Sequence, residues 1–293
     1  MKKIKLVYWN GVNFGDALNP YLISRLSGMD VAHKVKIFGF KNNVRIFLSS
    51  LVHGNFSKLN TMVKPHEKYI TAIGSNLSGS SKHCKVWGTG FWTCQDEFHG
   101  GEVLAVRGKV SDEKMRRMGY KGCEIYGDAA LLMPLIYKPQ VVKKYKLGII
   151  PHFRETEFFK LLYADKYKVI DLRTVDAEQV IDEIVSCEYI LSSSLHGIIV
   201  AHAYGVPTLW INNFNVEKDG TKFLDYFTSV DIRPYIPFRN FDEIIKEGEY
   251  DNFFSLNSEK SLPTKSIESI QKALLKVAPF PLLEEFKNFA EKP

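Results

Sequence analysis

The stretch YILSSSLHGIIVAHAYGVPTLWI, residues 189–211, decides the fold. Its first residues are an apolar strand (EYILSS, 188–193) without polar alternation. A helical run (LHGIIVAHAYG, 195–205) follows, and Gly-Val-Pro then leads into a second apolar strand (PTLWI, 207–211). Two strands that are apolar on both faces and joined by a helix predict a parallel sheet covered on both sides. The polar knot Ser192-Ser193-Ser194-Leu195-His196-Gly197 lies where the first strand ends and the helix begins. Ligands of open parallel sheets bind at such ends.

The same rhythm extends outward. KLGIIPH (146–152) and YKVIDL (167–172) read as strands. TEFFKLLYADK (156–166) and DAEQVIDEIVSC (176–187) read as helices, the second capped by Asp176 with Ala177, Val180, Ile181, Ile184 and Val185 on one face. Towards the N-terminus, KIKLVYW (3–9), YITAIGS (69–75), KVWGTG (85–90), EVLAVRG (102–108) and CEIYGDA (123–129) are short strands, with helices over 16–28 and 111–119. The expected architecture is α/β, mostly parallel: two Rossmann-like domains facing a cleft, 1–138 and 139–262. Two C-terminal helices in 263–293 are candidates to cross back to the first domain.

Ordinary apolar (45%) and charged (25%) fractions argue against disorder. The net charge of +6 is too small to indicate nucleic acid and suits anionic substrates or an anionic membrane surface. The four cysteines have no metal-like spacing, and no metal or cofactor is expected. The N-terminal apolar run is too short for a leader, and no stretch reaches the roughly 18–20 apolar residues of a membrane span. A cytoplasmic protein is therefore expected. Between Asp30 and Asp96 the only acidic residue is Glu67, whereas nine residues are lysine or arginine, and these flank the apolar run VRIFLSSLVHGNF (44–56). That region reads either as a core helix with a basic rim or as a peripheral contact with anionic lipid.

The polar knot has two readings. It is a serine cap with a histidine bonded to a neighbouring loop, or it is an anion site. The first turn of a helix offers free N–H groups and partial positive charge. Ser193 and Ser194 add hydroxyls, His196 a group that titrates near neutrality, and Gly197 clearance for a ligand. Other candidates fall at strand ends facing the same cleft. They are Asn13 and Asp16 in NGVNFGDALNP (Asp16 alternatively a helix cap), Gly90, Arg107, Asp128, His152 and Arg154 in PHFRE, and Lys222. Arg107 suits bidentate anion binding or a surface ion pair.

In their order, NFGDALNPYL, GTGF (88–91), VRGKVSDEKMRRMGY, YGDAALLMP, Pro151-His152 and SSSLHGIIVAHAYGVPTLWI resemble the polysaccharide pyruvyl transferases, from about residue 8 to about 230. The resemblance implies a GT-B-like fold and transfer of pyruvate from phosphoenolpyruvate, as co-substrate, to a sugar, releasing phosphate. The implied product is a 4,6-ketal on galactose or mannose of a capsular or exopolysaccharide repeat, with polyprenyl diphosphate as the candidate acceptor carrier. It further implies His196 as acid, Asp16 as base with His152 in reserve, and donor contacts from Arg107, Arg154, Lys222, Ser193, Ser194 and Gly197. Asn13, Gly90 and Asp128 would face the acceptor. Many members carry arginine where this chain has Ser194, so another cation must replace it. Two rivals stand beside this reading: a GT-B glycosyltransferase using a nucleotide sugar, and a non-catalytic polysaccharide-binding relative.

Overall fold

A computed structural model describes residues 3–35, 61–64, 66–212 and 219–292. The apolar run 44–56 lies outside the described residues. Two parallel sheets form the frame. The first contains β1 (Ile4–Val7), β2 (Val31–Lys34), β3 (Tyr69–Thr71), β4 (Cys84–Trp87) and β5 (Glu102–Ala105), in the order β2-β1-β3-β4-β5. The second contains β6 (Tyr145–Ile150), β7 (Lys168–Val169), β8 (Cys187–Ser192) and β9 (Thr208–Trp210), in the order β7-β6-β8-β9. Every pairing is parallel. The α/β class with parallel sheets is therefore as the sequence indicates.

Two local expectations differ. The segment 123–129 is not a strand; Tyr126 makes only an isolated bridge with Val106. Conversely, β2 was not anticipated. It is four residues long, ends in Lys34 and contains His33, so neither length nor alternation marks it.

The chain reverses its direction of winding between β1 and β3 in one sheet and between β6 and β8 in the other. At each reversal the loops leaving neighbouring strands diverge, and a crevice opens at the carboxyl ends. The segments after β1, β3, β6 and β8 are therefore the ones that bear on function.

The Phe14–Ser27 helix holds the first crevice in place. It contains Pro20, which has no N–H for the carbonyl of Asp16. Asn19 compensates by donating from Nδ2 to Asp16 O at 3.3 Å. Its amide also bridges to the end of β3, donating to Ile73 O (3.1 Å) and accepting from Ile73 N (3.0 Å). Asn19 is fully buried, so each of these bonds replaces an otherwise unsatisfied group.

The two sheets share one interior, and each also packs a smaller apolar cluster of its own. One contiguous apolar cluster includes Leu6, Leu22 and Trp87 with Ile150, Ile198 and Phe227. The C-terminal helices, Ile267–Lys276 and Glu284–Glu291, seal it on the side of the first sheet. Trp87 Nε1 donates to Leu274 O (2.9 Å), Gln271 Nε2 to Leu131 O (2.7 Å), and Leu283 N to Leu26 O (2.8 Å).

Candidate active site

A cleft of about 520 Å³ opens over both crevices. The segment after β1 supplies Trp9, Asn13, Gly15 and Asp16, and the one after β3 supplies Gly74, Ser75 and Asn76. From the other side come His152, Phe153 and Arg154 after β6, and Ser194, Leu195 and His196 after β8. Trp92, Leu172 and Lys222 complete the wall. Seven of the sequence-derived candidates thus line one cavity: Asn13, Asp16, His152, Arg154, Ser194, His196 and Lys222.

His196 sits in the first turn of the Leu195–Ala203 helix. Its Nε2 is buried and has no hydrogen-bond partner among the described residues. The ring lies against Gly15 so closely that a Cβ there would stand 2.0 Å from Nδ1. Only glycine can occupy that position, and the two halves meet there. Burial holds the imidazole down to about 3, with Lys222 and Arg107 adding repulsion, so the ring is neutral at pH 7. His152 is likewise held down to about 4, by burial and then by Lys222 and Arg154.

Asp16 behaves in the opposite sense. Asn13, not Asp16, caps the helix: its Oδ1 accepts from Asp16 N at 3.3 Å. The Asp16 carboxyl is left in the cleft, where burial raises it to about 6 against the weaker opposing effect of the Trp9 backbone. It is the cleft group that titrates closest to neutrality from below.

Cations border the imidazoles. The Arg154 guanidinium lies over the Phe153 ring (5.5 Å) and forms no ion pair among the described residues. Lys222 is in the first turn of the Thr221–Ser229 helix. Aromatic rings form the outer wall: Trp9 and Trp92 are 54% and 46% exposed, and Trp9 lies 6.2 Å from Phe153.

Five candidates have other roles. Arg107 is fully buried below the cleft and is not an open anion clamp. It donates to Asp225 Oδ2 (3.0 Å), Phe91 O (2.5 Å), Ser75 Oγ (2.8 Å) and Gly74 O (3.5 Å). Gly90 does not line the cleft; a Cβ there would come within 2.5 Å of both Arg107 Nη2 and Asp225 Oδ2. Asp128 is buried as the cap of the Ala129–Leu132 3-10 turn, and burial raises its carboxyl to about 7. The Ser193 hydroxyl donates to Glu155 Oε2 (2.7 Å) and accepts from His152 N (2.8 Å), which fixes the His152 loop. At Gly197 a Cβ would meet Ser192 Oγ at 2.7 Å and Ile150 Cγ2 at 2.8 Å, so the close packing of the helix on β6 and β8 itself calls for glycine. Ser194 combines both readings of the knot. It borders the cleft, and its Oγ caps the helix, accepting from Gly197 N at 3.5 Å.

Sequence reasoning passed over Gly15, Ser75, Asn76, Trp9, Trp92 and Phe153. Trp9 carried a usable signal, since it is a large apolar side chain directly before the Asn10-Gly11 turn. Ser75 carried none, because its meaning depends on Arg107, 32 residues away.

The family model described as polysaccharide pyruvyl transferase matches residues 13–215, which spans Asn13 through the His196 helix. The chain is also similar to uncharacterized protein L143 of Acanthamoeba polyphaga mimivirus, with 28% identity over 245 residues, 77% of this chain and 83% of that protein.

Proposed function

The chain belongs to the polysaccharide pyruvyl transferase family, and on that premise we propose that it uses phosphoenolpyruvate to pyruvylate a hexose of a capsular or exopolysaccharide repeat. The observation that carries the reading is the unpartnered Nε2 of His196 in a cleft with Arg154 and Lys222 on one side and Asp16 on the other. A donor with a carboxylate and a phosphate matches the two cations. Arg154 and Lys222 take the place of the arginine replaced by Ser194, whose hydroxyl is engaged in capping.

In the free protein His196 is neutral. Donor binding offsets the positive field of Lys222 and Arg107 and favours the imidazolium. Protonated His196 delivers its proton to the methylene carbon, giving a methyl group and an oxocarbenium-like carbon. A sugar hydroxyl attacks that carbon, and Asp16, ionised above about pH 6, accepts the hydroxyl proton. The carbon–oxygen bond to phosphate breaks, the phosphate takes up the proton held by Asp16, and a second hydroxyl closes the ketal and returns its proton to His196. Hydroxyls 4 and 6 of galactose or mannose can bridge one carbon. The exposed faces of Trp9 and Trp92 suit the C–H face of the acceptor ring, since aromatic faces are electron-rich. A polyprenyl diphosphate carrier would bring the acceptor to a membrane surface. No helix among the described residues is long and apolar enough to cross a membrane.

The test is incubation with phosphoenolpyruvate or with nucleotide sugars plus candidate acceptors, following phosphate and nucleotide release. Phosphate release with acceptor pyruvylation is expected, and His196→Ala should abolish it while the thermal unfolding transition stays cooperative. Nucleotide release, or full turnover by His196→Ala, refutes the assignment.

A further inference from the structure

We infer that Ser75 is a donor-binding residue, through which the buried Arg107 acts on the cleft; this rests on the pyruvyl-donor reading above. Arg107 cannot touch a ligand itself, because it is wholly buried and bonded to Asp225, Phe91, Gly74 and Ser75. Ser75, in contrast, lines the cleft. Its Oγ accepts from Arg107 Nη1 at 2.8 Å, and its own hydrogen has no acceptor among the described residues.

A hydroxyl oxygen that accepts from a guanidinium must direct its hydrogen elsewhere, and the cation polarises that O–H bond. The open direction is the cleft. Arg107 therefore presents its charge to the ligand at one remove, as a strengthened O–H donor whose best partner is an anionic oxygen.

The segment is braced for that task. Gly74 O accepts from Thr89 Oγ1 (2.7 Å) and Gly90 N (3.2 Å). Asn76 N donates to Thr89 Oγ1 (3.0 Å), and Ile73 is fixed by Asn19. Asp225 holds the far side of the guanidinium and also accepts from Ser111 N (2.8 Å) and Ser111 Oγ (2.7 Å). Asp225 belongs to the Thr221–Ser229 helix, so the ion pair ties the guanidinium to a regular element. Preorganised donors of this kind need no reorganisation when the anion arrives.

The experiment measures dissociation constants for phosphoenolpyruvate and for inorganic phosphate in wild type, Ser75→Ala, Ser75→Thr, Arg107→Lys and the Ser75→Ala/Arg107→Lys double variant, with thermal unfolding of each. Ser75→Ala should weaken phosphoenolpyruvate binding about tenfold, in line with loss of a charge-assisted hydrogen bond. Ser75→Thr, which keeps the hydroxyl, should stay within about threefold of wild type. In the Ser75→Ala background, Arg107→Lys should weaken binding no further. A parallel loss for inorganic phosphate assigns the contact to the phosphate; a loss confined to phosphoenolpyruvate assigns it to the carboxylate. Unchanged binding by Ser75→Ala, even with lowered stability, overturns the relay and leaves the donor reading intact. Wild-type protein that binds neither probe overturns the donor reading and the relay together. Should Arg107→Lys fail to fold, the Ser75→Ala and Ser75→Thr pair decides the matter.

Discussion

Asp16 shows how one cap residue sets the chemistry of another. Because Asn13 takes the N-cap, the Asp16 carboxyl is free for the cleft, and burial raises it to about 6. A carboxyl whose folded value lies above its unfolded value favours the folded state below about pH 4 and loses that contribution as pH rises through about 6. At neutral pH the protein thus carries a buried charge, at a cost on the order of 1–3 kcal/mol. Asp16→Asn should raise the melting temperature by a few degrees at pH 8 and by less at pH 5. The same change should lower kcat/KM about 100-fold or more, and it should remove the acidic limb near pH 6 from its pH profile. Scanning calorimetry at the two pH values, with pH–rate profiles of both proteins, checks the pair. Equal melting temperatures at pH 8 would contradict a buried carboxylate, and an unchanged rate would remove Asp16 from the chemistry.

At the level of elements, the Phe14–Ser27 helix couples a backbone defect to the floor of the cleft. Pro20 leaves the Asp16 carbonyl without its helical donor, and Asn19 both repairs this and holds Ile73 next to Gly74 and Ser75. Asn19→Ala removes three bonds at a fully buried site and should cost about 2–4 kcal/mol. It should also weaken phosphoenolpyruvate binding, because the segment after β3 loses its anchor. Denaturant unfolding and direct titration measure the two effects; a stability loss with unchanged affinity would separate the helix from the site. The elements themselves were largely legible. Residues 187–211 resolve into β8, the Leu195–Ala203 helix and β9 because uninterrupted apolar runs bounded by serine and Gly-Val-Pro admit few other arrangements. Asp176 caps its helix as its spacing implies, accepting from Gln179 N at 3.0 Å. What the sequence leaves open depends on distant partners. Arg107 at a strand end looks the same in sequence whether it meets a ligand or Asp225, 118 residues further on. Gly197 reads as ligand clearance, and Gly90 as an acceptor contact, until the atoms filling their absent side chains are known.

Across the whole molecule, the two Rossmann-like halves of the sequence rhythm meet in a shared interior. The halves share one apolar cluster, and polar ties cross between them. Phe14 N donates to Leu172 O (2.8 Å), the Tyr204 hydroxyl to Tyr137 O (2.8 Å), and the Arg107–Asp225 pair is buried at the junction. Separating the halves would expose apolar surface from both sheets and part Arg107 from Asp225. Breaking such a pair costs roughly 3–5 kcal/mol, a large part of the total stability of about 5–15 kcal/mol for a typical domain. The C-terminal helices add to this, because Trp87 and Gln271 find their partners across the boundary between the first sheet and the end of the chain. Residues 1–138 and 139–293, expressed apart, should therefore each be unfolded or aggregated, whereas the full chain should unfold in one calorimetric transition. Equal calorimetric and van't Hoff enthalpies would establish that single transition. Two resolved transitions, or a soluble N-terminal half with cooperative melting, would show that each sheet closes its own core. In that case the cleft would be free to open between independent bodies, and the fixed approach of His196 to Gly15 could not persist through turnover. The shared core instead makes that approach a property of the folded molecule.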